Sequence, residues 1–82
     1  MDIEERVKKV IVKELGLLES QISLNDKLVL DLGADSLDMV QLIMGLEEEF
    51  DIGISDELGD SLATGTVGET IALIAGMISS PA

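Results

Sequence analysis

The sequence predicts an all-α fold: a four-helix bundle of three longer helices and one short helix, with a long loop between the first two. Three observations predict it. Every strong apolar pattern repeats at the helical period of about 3.6 residues. Helix-start signatures, a capping residue with Glu three positions later, stand at Asp2 and Thr66. No two segments alternate in a way that would pair as strands. The 82 residues are read as one domain, residues 1–82. A chain this short buries only roughly 60–65% of the surface its unfolded form exposes, so its core is small. That core is aliphatic, since Phe50 is the only aromatic residue.

The first helix starts after Asp2, with Glu5 completing the signature. Ile3, Val7, Val10, Ile11 and Leu15 form its apolar face, and Gly16 stops it. Residues 17–35 form a connection of 19 residues, long for a loop without a role. Leu17, Leu18, Ile22, Leu24, Leu28, Leu30 and Leu32 are expected to pin it to the core. The second helix is predicted over residues 36–50. A short helix is expected over residues 56–62, within a stretch where Ile52, Ile54, Leu58 and Leu62 alternate with turn formers. The last helix begins at Thr66 and carries Ile71, Ile74, Ala75 and Ile78 on one face, and Pro81 closes the tail.

Charge is distributed unevenly. Seventeen acids oppose five bases, for a net −12. All five bases (Arg6, Lys8, Lys9, Lys13, Lys27) fall in the first 27 residues, where six acids leave a net −1. Residues 28–82 hold eleven acids and no base, a net −11. A field of that sign repels nucleic acid and anionic membrane and attracts basic protein surfaces. No segment reaches the roughly 20 apolar residues of a membrane span, and MDIEERVKK has no apolar signal-peptide core. A cytoplasmic monomer without stable membrane insertion is the expectation. No cysteine is present, which removes disulfides and thiol catalysis by the chain itself.

Helix two has more apolar surface than one core contact needs. At about 100° per residue, Met39, Leu42, Ile43, Leu46 and Phe50 fall on one face, while Leu37, Val40 and Met44 cluster roughly 130° away. Glu47, Glu48 and Asp51 lie beside the second cluster. Two readings are open: a docking strip ringed by carboxylates, or a strip covered by the long loop. Acids under a lid would be desolvated at a cost, which favours the docking strip.

Residues 31–40, DLGADSLDMV, raise the chemical question. Ser36 stands where an N-cap would, and serine is a preferred one. Hydrolase chemistry is excluded: the chain has no histidine, and Ser36 is not in a Gly-x-Ser-x-Gly elbow. A phosphate on Ser36 would meet Asp35 and Asp38 unless a cation or basic partner intervened. These acids, with Asp31, do not match a calcium loop, and no metal site is expected.

Leu32-Gly33-Ala34-Asp35-Ser36-Leu37-Asp38 resembles the phosphopantetheine attachment motif of acyl carrier proteins. The likeness continues through Glu47-Glu48-Glu49-Phe50-Asp51 and Ile3-Glu4-Glu5-Arg6-Val7-Lys8-Lys9, covering about residues 2–58 closely and the rest in outline. The resemblance implies a four-helix bundle that is not itself an enzyme. It implies 4′-phosphopantetheine attached covalently to Ser36 by a separate phosphopantetheinyl transferase, with acyl groups carried as thioesters for fatty-acid-synthase-type enzymes. Asp35, Leu37, Asp38, Val40, Met44, Glu47, Glu48 and Ile54 would contact partners with basic docking surfaces. Ile43, Leu46, Ile54 and Ile71 would line an acyl cavity. The chain departs from the family's pattern at Gln41, at Gly45, in the last helix, which lacks the usual aromatic, and over residues 58–65, about two residues longer than in fatty-acid carriers. Gly45 either softens helix two or admits a close neighbour. The departures lie around the cavity and docking edge, where they bear on cargo. A carrier dedicated to polyketide, envelope-lipid or aminoacyl cargo, a cofactor-free acidic adaptor and a phosphorylation switch are the competing functions.

Eleven acids without a base imply self-repulsion in the folded state, which mobile ions screen. Magnesium or moderate salt is therefore expected to raise the melting temperature near neutral pH. A calorimetric scan insensitive to both would count against appreciable repulsion.

Overall fold

The first helix, α1 (Ile3–Leu15), begins where its cap allows: the Asp2 carboxylate accepts the Glu5 N–H at 2.9 Å. It ends at Gly16, whose φ of 68° lies in the left-handed region that a glycine adopts without strain. The Gly16 N–H donates to the Val12 carbonyl at 3.0 Å, closing the helix. The computed structural model describes residues 2–79, so Pro81 lies outside the described residues. Three further helices follow: α2 (Ser36–Phe50), α3 (Asp56–Thr64) and α4 (Val67–Ser79). The all-α expectation holds, with no strand among the described residues beyond one isolated bridge between Lys27 and Thr66. None of the described helices is long and apolar enough to cross a membrane.

The core sits where the apolar faces converge. Val7, Val10 and Ile11 of α1 meet Met39, Leu42, Leu46 and Phe50 of α2, with Leu62 of α3 and Val67 and Ile74 of α4. Thr70 is the one polar residue buried among the described ones, and its hydroxyl donates to the Thr66 carbonyl at 3.1 Å. The buried face of α4 therefore runs Val67–Thr70–Ile74, with Ile71 half-buried and Ile78, in the last turn, exposed. The start of α4 matches expectation. Thr66 Oγ1 accepts the Glu69 N–H at 3.1 Å, and Glu69 Oε1 accepts the Thr66 N–H at 2.9 Å. Helix α3 runs two residues further than expected, to Thr64, whose hydroxyl donates to the Ser61 carbonyl at 3.2 Å.

The long connection is built rather than loose. A 3₁₀ turn (Glu19–Gln21) follows α1, and Gln21 Oε1 accepts the Leu18 N–H at 2.8 Å. Ile22, Leu28 and Ala34 are buried and Leu17 and Leu32 half-buried, but Leu18, Leu24 and Leu30 are exposed, against expectation. Leu24 and Leu30 sit in turns and Leu18 is the extended residue before the 3₁₀ turn, and main-chain bonds fasten the connection instead. The Leu24 carbonyl accepts the Gly68 N–H at 2.9 Å, and the Asp26 carbonyl accepts the Val67 N–H at 2.8 Å.

The opening of α1 is tied to the end of α2 by Arg6. Its guanidinium donates from Nε to Glu49 Oε2 at 2.8 Å and from Nη2 to the Glu49 carbonyl at 2.7 Å, and it stacks 4.4 Å above the centre of the Phe50 ring. Further along the same interface, a Cβ built on Gly45 would stand 3.0 Å from Val10 Cγ1 and 3.2 Å from Glu14 Oε2. The departure at Gly45 thus serves a close approach of α1 side chains.

Burial separates the loop leucines energetically. Leu28→Ala is expected to cost about 2–5 kcal/mol, whereas Leu30→Ala, at a side chain 77% exposed, should stay within about 0.5 kcal/mol of wild type. Urea unfolding of the two variants checks this; equal losses would mean the loop is held some other way.

Candidate functional site

The segment leading into α2 folds on itself before the helix begins. Asp31 Oδ2 accepts the Lys27 N–H at 2.7 Å, and the Lys27 carbonyl accepts from Asp31 at 2.9 Å and from Leu32 at 3.0 Å. Gly33 then takes a φ of 77°, and its place is conformational rather than steric, since nothing lies within 4 Å of an added Cβ. The reversal buries Ala34, whose N–H reaches the Leu28 carbonyl at 3.0 Å. Asp35 emerges in extended conformation at the helix start.

Asp35, and not Ser36, caps α2. Asp35 Oδ1 accepts the Asp38 N–H at 2.8 Å, and Asp38 Oδ2 accepts the Asp35 N–H at 3.1 Å. Two aspartates thus form a reciprocal capping box. The reason is one of register: a cap at Ser36 would need a returning acceptor at residue 39, which is methionine, whereas Asp35 finds Asp38. Ser36 is consequently the first helical residue and is exposed. Its hydroxyl takes no part in the box and makes no hydrogen bond with the described residues. The first two helical N–H groups, those of Ser36 and Leu37, have no partner within the helix. Such groups and the helix dipole favour an anion.

Beside Ser36 opens a groove of about 580 Å³ between α2 and α3. Its apolar lining comes from Val29, Ala34, Met39, Val40, Ile43, Ile54 and Ala63. Asp35, Asp56 and Asp60 contribute carboxylates, and Gly59 of α3 contributes bare backbone. Of the residues expected to line an acyl cavity, Ile43 lines this groove. Leu46 is fully buried in the core and Ile71 is half-buried on α4; neither is part of the groove wall. Ile54, expected both in the cavity lining and on the docking face, is half-buried in the wall.

The second stripe of α2 is uncovered: Leu37 is 65% exposed, and Val40 and Met44 are each 53% exposed. The long loop does not close over it. Of the acids expected around it, Glu48 is exposed, while Glu47 is half-buried and accepts the Ile54 N–H at 2.8 Å through Oε2. Glu47 therefore holds the α2–α3 connection as well as carrying charge. That connection starts at Asp51, a non-glycine residue with φ of 54°, whose N–H donates to the Glu47 carbonyl. Sequence periodicity found the stripe but not the anchor, because the 47–54 contact spans a turn that no helical wheel represents.

An accessible hydroxyl outside the fold's own bonds, the first N–H groups of a helix and an adjoining, largely apolar groove thus occur together. A family model described as the phosphopantetheine attachment site matches residues 5–74.

Because Asp35 holds the cap, Asp35→Ala is expected to destabilise the fold by about 0.5–2 kcal/mol, and Ser36→Ala by less than about 0.5 kcal/mol. Paired denaturation curves test the assignment. The reverse order would restore Ser36 as the cap.

Proposed function

Because this chain belongs to the phosphopantetheine attachment-site family, we propose that Ser36 is its attachment residue and that residues 1–82 form one acyl-carrier domain serving fatty-acid or related lipid synthesis. Members of the family bear covalently attached 4′-phosphopantetheine, are non-catalytic carriers and depend on a separate phosphopantetheinyl transferase and on acyl-processing enzymes. The observation that supports Ser36 is its position one residue inside the cap, with a hydroxyl the fold does not use.

The arm supplies a thiol that holds an acyl group as a thioester, chemistry that a cysteine-free chain lacks. What the chain's own residues do follows from the geometry. Ser36 offers its Oγ for a phosphodiester, and the helix N-terminus, whose first N–H groups lack intrahelical partners, favours that anion. The nearby carboxylates of Asp35 and Asp38 would oppose it, but each is engaged by a backbone N–H, and a basic transferase surface offsets their charge on docking. Leu37, Val40 and Met44 present an apolar strip to partner pockets, and methionine adapts to more than one of them. Glu48, with Glu47 behind it, steers basic surfaces toward that strip. Ile43, Ile54 and Met39 give an acyl chain an apolar wall. A cytoplasmic monomer accords with this traffic.

A second reading, a carrier dedicated to polyketide, envelope-lipid or aminoacyl cargo, draws on α3 reaching Thr64 and on Gly59 in the groove wall. It alters the cargo and leaves the attachment chemistry unchanged.

Incubation with coenzyme A, magnesium and a broad-specificity transferase is expected to add one phosphopantetheine to the apo protein and none to Ser36→Ala, read by intact mass. A folded wild-type protein that gains nothing would sink this reading and favour the acidic adaptor.

A further inference from the structure

We propose that Gly59 sets the width of the groove beside Ser36 and so determines which acyl chains the protein shelters. The proposal rests on the carrier reading and extends it to cargo selection.

Gly59 lies within α3, where glycine is the least favourable residue short of proline. It has no positive φ to justify it, for the positive-φ glycines are Gly16 and Gly33. It is buried, and the feature it faces is Ile43: a Cβ built on Gly59 would stand 3.0 Å from Ile43 Cδ1. That distance is closer than packed carbon atoms settle. The absent side chain thus lets α3 lie directly against the tip of Ile43, and both residues line the groove.

A methyl group at residue 59 meets the flexible end of a side chain and not a backbone atom, so the fold accommodates it by turning Ile43 away. Ile43 is half-buried, and the open space beside it is the groove it lines. The turned side chain would occupy volume an acyl chain needs. With glycine in place, Ile43 rests against α3 and the groove that both line stays open. The cargo class this favours is an apolar acyl chain long enough to pass Ile43. A short chain, ending nearer Ser36, gains nothing from the glycine.

The test loads wild type, Gly59→Ala and Gly59→Ala/Ile43→Val with butyryl, octanoyl and myristoyl pantetheine arms. Each product is verified by intact mass and its melting temperature compared with that of the same variant carrying the unacylated arm. In wild type the acyl-dependent rise should grow with chain length. Gly59→Ala should keep the butyryl value and lose most of the additional rise for the longer chains, without lowering the melting temperature of the unacylated form. Ile43→Val deletes the Cδ1 that the new methyl meets, so the double variant should regain the wild-type profile. A wild-type profile in Gly59→Ala, or a double variant that fails to regain it, would overturn the proposal while leaving the carrier function standing. Failure of the wild type to load at all would remove both.

Discussion

Two amide groups at the start of α4 govern where the rest of the chain can go. A helix begins with N–H groups that have no partner inside it. Here those of Val67 and Gly68 are taken by the carbonyls of Asp26 and Leu24. The long connection between α1 and α2 is thereby fastened across the molecule to an element far along the sequence. Leu28, immediately after the fastening, enters the core, and its carbonyl receives the Ala34 N–H. The Lys27–Asp31 turn and Gly33 lie between them, so the direction in which the chain leaves Ala34 is fixed before α2 begins. The exposure of Ser36 depends on this sequence of constraints as much as on its own neighbours. Gly68 suits the junction, since an added Cβ would stand 3.1 Å from the Leu24 carbonyl oxygen.

The charged side chains divide along the same lines. Four of the five bases lie in α1, and Arg6 spends its guanidinium on Glu49 and Phe50. That contact sits at the edge of the core, half-screened, and locates the end of α2 against the start of α1. On another side of α2, Leu37, Val40 and Met44 stay uncovered beside Glu48, and Lys13 of α1 lines the same cleft as Met44 and Glu48. Covering that strip with the loop would add buried area to a small core. The fold instead directs the loop to α4, and the strip remains open to other molecules.

Much of this was legible in the residues, and the failures have identifiable causes. The bounds of α2 and the caps at Asp2 and Thr66 follow from periodicity and local hydrogen-bonding chemistry, which act within four residues. The loop was misread because leucine was equated with burial. Leu24 and Leu30 are in turns held by main-chain bonds, and composition does not report those. The cap of α2 was assigned one residue late, although the signal was present: both Asp35 and Ser36 are good caps, and only Asp35 has a carboxylate three residues on. The mooring of Ile54 to Glu47 and the contact between Gly59 and Ile43 join separate elements, and only the assembled fold could reveal them.

The two-aspartate cap has a consequence for how the protein is made and reused. Had the Ser36 hydroxyl also closed the helix, any group joined to it would have competed with the first turn. With the closure assigned to Asp35 and Asp38, the first turn is complete without that hydroxyl. On the proposed carrier reading, maturation is then a labelling event on a surface already built. Under that reading the label is added without reopening the question of the fold.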